Sequence, residues 1–159
     1  MLAGLFLCAP LHAAKRRVPA PAVDIAVHST KRGDALVCRY TLDNRTAPGI
    51  LAFTLGGNEN LAGPYELTAV PAGYNLDSGA GEYVTVPKGW ESSLLQEPAG
   101  ATYAVEWQTR EPEHAIRAGQ KVTFELVYEA ATPNCRRGHW TVITRDSQIY
   151  AGQLEAKKP

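Results

Sequence analysis

From Val23 onward the chain alternates apolar and polar residues with a period of two, the spacing that turns one face of a strand to a core and the other to water. Val23, Ile25 and Val27 point one way, with Asp24, Ala26 and His28 between them. After a polar turn at Lys31-Arg32-Gly33-Asp34, a second inward row is formed by Leu36, Cys38, Tyr40 and Leu42, with Val37, Arg39, Thr41 and Asp43 opposite. Asn44 to Gly49 is turn-like, and the apolar run Ile50 to Gly56 (ILAFTLG) reads as a more fully buried strand. Glu66 to Val70 and Tyr83 to Val86 are shorter strand candidates. Pro71 to Asn75 and Gly79 to Gly81 break the period, so the middle of the chain reads as loop-rich. Regularity returns in Tyr103, Val105 and Trp107, and, past a turn at Ala118-Gly119-Gln120, in Val122, Phe124, Leu126 and Tyr128. His139 to Arg145 and Gln148 to Leu154, joined at Asp146-Ser147, predict a hairpin.

No long segment has helical period. Eight or nine candidate strands at roughly 8–12-residue spacing predict an all-β fold, a two-sheet antiparallel sandwich. The mixture of amphipathic and fully apolar strands suits two packed sheets better than a lipid-facing barrel.

The N-terminus follows a different pattern. Leu2 to Leu11 is apolar and is followed by small residues and then Lys15, Arg16 and Arg17. That is the length of a signal-peptide core and too short to span a bilayer, although no positive charge precedes it. Cleavage after Ala13 or Ala14 fits best, because the A-x-A form at Ala20-Pro21-Ala22 sits behind three basic residues. Leu5-Phe6-Leu7-Cys8 is a poor lipobox, since Leu7 is too large. The expected organisation is a signal peptide over residues 1–14, with residue 22 as the later alternative, a linker over 15–22, one domain over 23–155 and a charged tail over 156–159. The mature product is then secreted or periplasmic and not an integral membrane protein.

Of 3 cysteines, Cys8 leaves with the leader, and Cys38 and Cys135 remain. They lie 97 positions apart, far from the close spacing of a redox or metal-binding pair. In an oxidising compartment they predict a structural disulfide, contributing about 4–5 kcal/mol in the chain-entropy model. Composition adds exclusions. The 159 residues fit one domain, and 16 Lys and Arg against 16 Asp and Glu give no net charge, so nothing draws the chain to nucleic acid.

Candidate chemistry is sparse. Asp77-Ser78-Gly79-Ala80 matches the D-[ST]-G-A string of aspartic proteases, but it lacks the preceding apolar strand and the supporting motif, and it reads as a Gly-rich turn. His28, His114 and His139 form no local ligand pair, so no metal or other cofactor is expected. The serines lack the elbow that would expose a nucleophile. An enzyme would need two or more of Asp77, Glu91, His114 and His139 to converge in one cleft, and no catalytic residues are assigned. Asn44-Arg45-Thr46 satisfies the glycosylation pattern. Trp107 and Trp140 belong to strands and are assigned to the core. Trp90 stands in a turn-like Pro87-Lys88-Gly89-Trp90-Glu91 context. It either plugs one end of the sandwich or, with Tyr74 and Tyr83, forms an exposed platform for a sugar or a protein.

The order of these features resembles exported bacterial β-sandwich domains of the immunoglobulin or fibronectin type III kind. The resemblance rests on a strand ending in Asp43-Asn44, the ILAFTL strand, the Gly89-Trp90 loop and Val105-Glu106-Trp107. It continues in Ile116-Arg117-Ala118-Gly119-Gln120, leading into Val122-Thr123-Phe124-Glu125-Leu126. It covers Val37 to Leu154 and implies fold and compartment, without catalytic residues. The functional expectation is a non-catalytic module for protein–protein contact or cell-surface architecture, presenting the region from Gly56 to Gly100. A carbohydrate-binding module using Trp90, Tyr74 and Tyr83 to hold a surface glycan is the alternative.

Overall fold

A computed structural model describes residues 20–57, 64–98, 101–129 and 133–154. The leader, most of the linker and the tail expected above lie outside the described residues. Strands run β1 (Val23–Arg32), β2 (Ala35–Asn44), β3 (Ile50–Leu55), β4 (Glu91–Gln96), β5 (Tyr103–Gln108), β6 (Lys121–Tyr128), β7 (His139–Thr144) and β8 (Ile149–Gln153), with one 3-10 turn at Pro112–His114. They form two antiparallel sheets in the orders β1-β2-β6 and β4-β5-β3-β7-β8.

Register follows from the alternation, because a slip of one residue would turn every inward side chain outward. A two-residue turn with Gly33 at φ 61 joins β1 to β2 and pairs Arg32 with Ala35, which sets Ile25 opposite Leu42 and Ser29 opposite Cys38. Across β2 and β6, Tyr40 faces Phe124 and Cys38 faces Leu126 on the inner side, while on the outer side the Arg39 Nε donates to Glu125 at 2.9 Å. The outward Val37 is also buried. It lies opposite Val127, so an apolar pair interrupts the polar outer face.

Two sequence expectations are corrected. Glu66 to Val70 and Tyr83 to Val86 are not strands: the segment between β3 and β4 makes single bridges, Leu67 to Tyr103, Tyr74 to Gly81 and Ala80 to Ser93. Conversely, Glu91–Gln96 is a strand that the sequence reading left within a loop. Its inward row contains Ser92 and Leu94, both buried, so only one apolar side chain marks it. Among the described residues the total is eight strands.

The core is centred on four aromatic rings. Phe124 of the small sheet meets Phe53 at 5.2 Å, Trp107 at 5.1 Å and, edge-on, Trp90 at 5.4 Å between centroids. Phe53 and Trp107 stack at 5.2 Å. Such contacts add about 0.5–1.5 kcal/mol each beyond the area they bury. Asn44, at the end of β2, is fully buried. Its Nδ2 donates to the carbonyls of Ile116 at 2.8 Å and Ala47 at 3.1 Å, and its Oδ1 accepts from the Ala47 amide. The glycosylation pattern is therefore structural here, since its amide is already used in closing a turn.

Cys38 and Cys135 are disulfide-bonded with Cα atoms 5.5 Å apart, tying β2 to the loop between β6 and β7. We expect Cys38→Ala with Cys135→Ala, or reduction, to lower unfolding free energy by about 4 kcal/mol in urea titrations; an unchanged midpoint would contradict the linkage.

Burial raises the pKa of Tyr40 and Tyr128, with each shift reinforced by a neighbouring tyrosine, and pushes Tyr74 up to about 12 despite an opposing hydrogen bond from Ser92. The unfolded chain's tyrosines ionise near 10.0, so the folded state is favoured fully below that pH. This stabilisation should fall as pH rises from 10 towards about 12. Urea midpoints measured across that window should decline less steeply in Tyr74→Phe than in the wild type; parallel slopes would exclude Tyr74 as a contributor.

Candidate functional site

The segment from residue 64 to 90 is rich in Pro and Gly and lacks period, yet it is tied down along its length. Leu67 and Tyr103 exchange backbone hydrogen bonds at 2.9 and 2.8 Å, which fixes its start to β5. The Ala72 amide then donates to Val127 at 2.6 Å, on the free edge of β6. Gly73, at φ 90, accepts from the amides of Glu82 and Tyr83 with its carbonyl, and a Cβ there would lie 2.7 Å from the Tyr83 oxygen, so glycine is required. The chain next turns back to β4, where Gly81 donates to Ser92 at 3.0 Å and Leu94 donates to Gly79 at 2.7 Å. One seam between the sheets, bordered by β6 and β4, is thus covered by this segment.

Asp77-Ser78-Gly79-Ala80 sits in the turn of that segment. The Asn75 Oδ1 accepts from the amides of Asp77 at 2.9 Å and Ser78 at 3.2 Å, a side-chain mimic of a backbone turn. The string is a turn, as its glycine suggested.

The three aromatic candidates separate. Trp90 is only 7% exposed, so the reading of it as an exposed platform is corrected. Its ring lies edge-on to Phe124, and its Nε1 donates to the His114 carbonyl at 3.0 Å. Gly89 permits this placement: at φ +77 it packs against the His114 ring, where a Cβ would lie 2.1 Å away, and its carbonyl accepts from the Thr109 hydroxyl at 2.7 Å. Tyr74 is half-buried, with its hydroxyl 2.7 Å from the Ser92 Oγ. Tyr83 is 88% exposed, and Leu76 in the same loop is 55% exposed. The sequence reading did not single out Leu76; its position between two predicted turns was the available signal. Tyr74 and Tyr83 flank an apolar cleft of about 340 Å³ whose other wall includes Glu125 and Val127 of β6.

The polar candidates divide between the two ends of β3, with Glu91 and His114 at one end and His139 at the other. His114 Nε2 pairs with Glu111 at 2.9 Å and Glu91 with Arg110 at 3.2 Å, near the start of β3. His139 lies beyond its far end, bonded through Nδ1 to Glu66 at 2.6 Å, with its carbonyl accepting from the Gly56 amide. Six residues of β3 span about 20 Å. His114 and His139 therefore do not share a cleft. Among the described residues no group of three or more His, Cys, Asp or Glu could hold a metal ion, and no helix is long and apolar enough to cross a membrane.

No family model and no curated sequence relative matches the chain. Among solved structures, an uncharacterized protein from Nocardia farcinica with an immunoglobulin-like fold is similar at a TM-score of 0.52 and 10% identity, over 85% of this chain and 90% of that one. The sandwich is immunoglobulin-like in fold, which agrees with the immunoglobulin-like part of the resemblance read from the sequence.

Trp90 should act on stability. Trp90→Ala is expected to cost about 3–5 kcal/mol, the range for a large buried aromatic, and to depress the thermal midpoint sharply. A fully stable Trp90→Ala variant would contradict its place in the core.

Proposed function

We propose that the chain is an exported, non-catalytic module that contacts another protein through the loop carrying Leu76 and Tyr83. The observation behind this reading is the combination of exposed apolar side chains with a pinned backbone. Leu76 and Tyr83 are two of the three large hydrophobic residues exposed among the described residues. Burying a side chain of that size contributes about 1.5–3 kcal/mol. The loop they occupy is anchored on both β6 and β4, so little ordering entropy remains to be lost on binding. Tyr is also a frequent anchor at protein interfaces, because it presents a large rigid area and a hydroxyl. Export is supported by the apolar N-terminal segment and by the buried Cys38–Cys135 bridge, which belongs to an oxidising compartment.

The glycan alternative has lost its platform at Trp90 and rests on the Tyr83 ring alone, since Tyr74 is held by Ser92. A single exposed ring favours an apolar protein contact over stacking on an extended sugar chain.

A photo-reactive phenylalanine at position 83, introduced in cells that naturally make the chain, should give a discrete protein adduct outside the cytoplasm. The same group at His28, on the outer face of β1, should not give that adduct. Leu76→Ala should lower the yield at position 83 several-fold. Cross-linking absent at position 83, or an adduct made of polysaccharide, would reject the protein-contact reading.

A further inference from the structure

The two seams between the sheets differ. At the β6–β4 seam the segment 64–90 pairs with both edges, and the inward Ser92, Leu94, Phe124 and Leu126 are all buried. At the opposite seam β1 pairs only with β2 and β8 only with β7, and no other described strand borders them. The inward row of β1 is incompletely covered as a result. Ile25 and Val27 are half-buried, although their partners in register, Leu42 and Tyr40, are fully buried. A groove of about 560 Å³ runs between this row and Trp140, which packs beneath Gly152 of β8. A Cβ at Gly152 would lie 2.7 Å from the Trp140 ring, so the glycine lets the indole reach the groove under the strand.

Among the described residues the groove carries positive charge without an ion-pair partner at one end. Arg136 lines it, and together with Arg137 it also lines an adjoining cleft of about 350 Å³. Neither arginine has a carboxylate within ion-pair distance among the described residues. The carboxylates bordering these two spaces are already engaged: Asp24 accepts from Arg45 at 2.9 Å, and Glu66 binds the ring and the backbone amide of His139, each at 2.6 Å. The backbone that carries the arginines is also held in place. Cys135 next to Arg136 is bonded to Cys38, and Asn134 accepts from the amides of Arg136 at 3.0 Å and Arg137 at 3.2 Å.

An open strand edge, an apolar row needing cover and a guanidinium carried on a pinned backbone together select one kind of occupant. We propose that the β1–β8 seam docks an extended strand of another protein, which adds to the free edge of β1, lays apolar side chains on Ile25 and Val27, and places an Asp or Glu against Arg136. The backbone ladder supplies sequence-independent affinity, and the charge fixes direction and register. This surface lies on the other side of the sandwich from Tyr83 and does not depend on the loop reading.

The test uses the full chain on an array of peptides about ten residues long, matching the length of β1, that alternate Val and Thr and carry Glu, Gln or Lys walked through each position. We expect retention of peptides with Glu towards one end at least tenfold above their Lys counterparts, a ratio that needs no variant. Arg136→Glu should invert that preference, and the milder Arg136→Gln should abolish it. Tyr83→Ala should leave it unchanged, which separates this surface from the loop. Retention of no peptide, equal retention of Glu and Lys peptides, or sedimentation showing that the chain dimerises through β1 would each overturn the proposal.

Discussion

Phe124 is the point at which the two sheets are held together. It comes from the three-stranded sheet and touches Phe53 and Trp107 of the five-stranded sheet, so the main aromatic contact across the sandwich passes through one ring. Trp90 joins the same cluster from the segment ahead of β4. That segment is therefore drawn inward at its end, with Gly89 against His114 and the indole N–H on the His114 carbonyl. Its start is fixed on β5 by Leu67, and the chain between runs along the seam bordered by β4 and β6, where Ala72 bonds Val127 and Gly81 bonds Ser92. The core contact at its end and the hydrogen bonds along its length together close this seam and display Tyr83 and Leu76.

The closed and open seams follow from one limitation of open sheets. Each has two edges with backbone groups that need partners, and a sandwich of two such sheets has four edges. Here one irregular segment serves two of them. No described segment serves β1 and β8, and burial within the inward row falls from complete at Leu42 and Tyr40 to partial at Ile25 and Val27. The Cys38–Cys135 bridge lies at the end of the sandwich where Arg136 stands, so the same bond stabilises the fold and anchors the backbone that carries a charged group.

Strands with several apolar residues on one face were legible in the sequence. The rows Cys38, Tyr40, Leu42 and Phe124, Leu126, Tyr128 are buried as their period required, and they place Cys38 where its partner could reach it. β4 was not legible, because pairing with β5 and with Gly79 to Gly81 makes it a strand while only Leu94 marks its inward face. Val37 departed from alternation for a related reason: its neighbour across the ladder is Val127, a pairing that a single strand does not reveal. The place of Trp90 was undecidable from local context, since a turn rich in Pro and Gly is compatible with either orientation. The decision came from Phe124, 34 positions away in the chain and on the other sheet. The grooves were likewise invisible, being set by what does not lie beside an edge.

The difference between the two seams is most directly tested by amide hydrogen exchange on the intact, oxidised chain, read residue by residue by NMR. The amides of Ala72, Gly81 and Leu94, which close the β6–β4 seam, should exchange only as slowly as the core opens. Along β1, amides facing away from β2 should exchange orders of magnitude faster than those facing it. Uniform slow exchange through β1, or exchange at Ala72, Gly81 and Leu94 as fast as in an unfolded chain, would contradict the account.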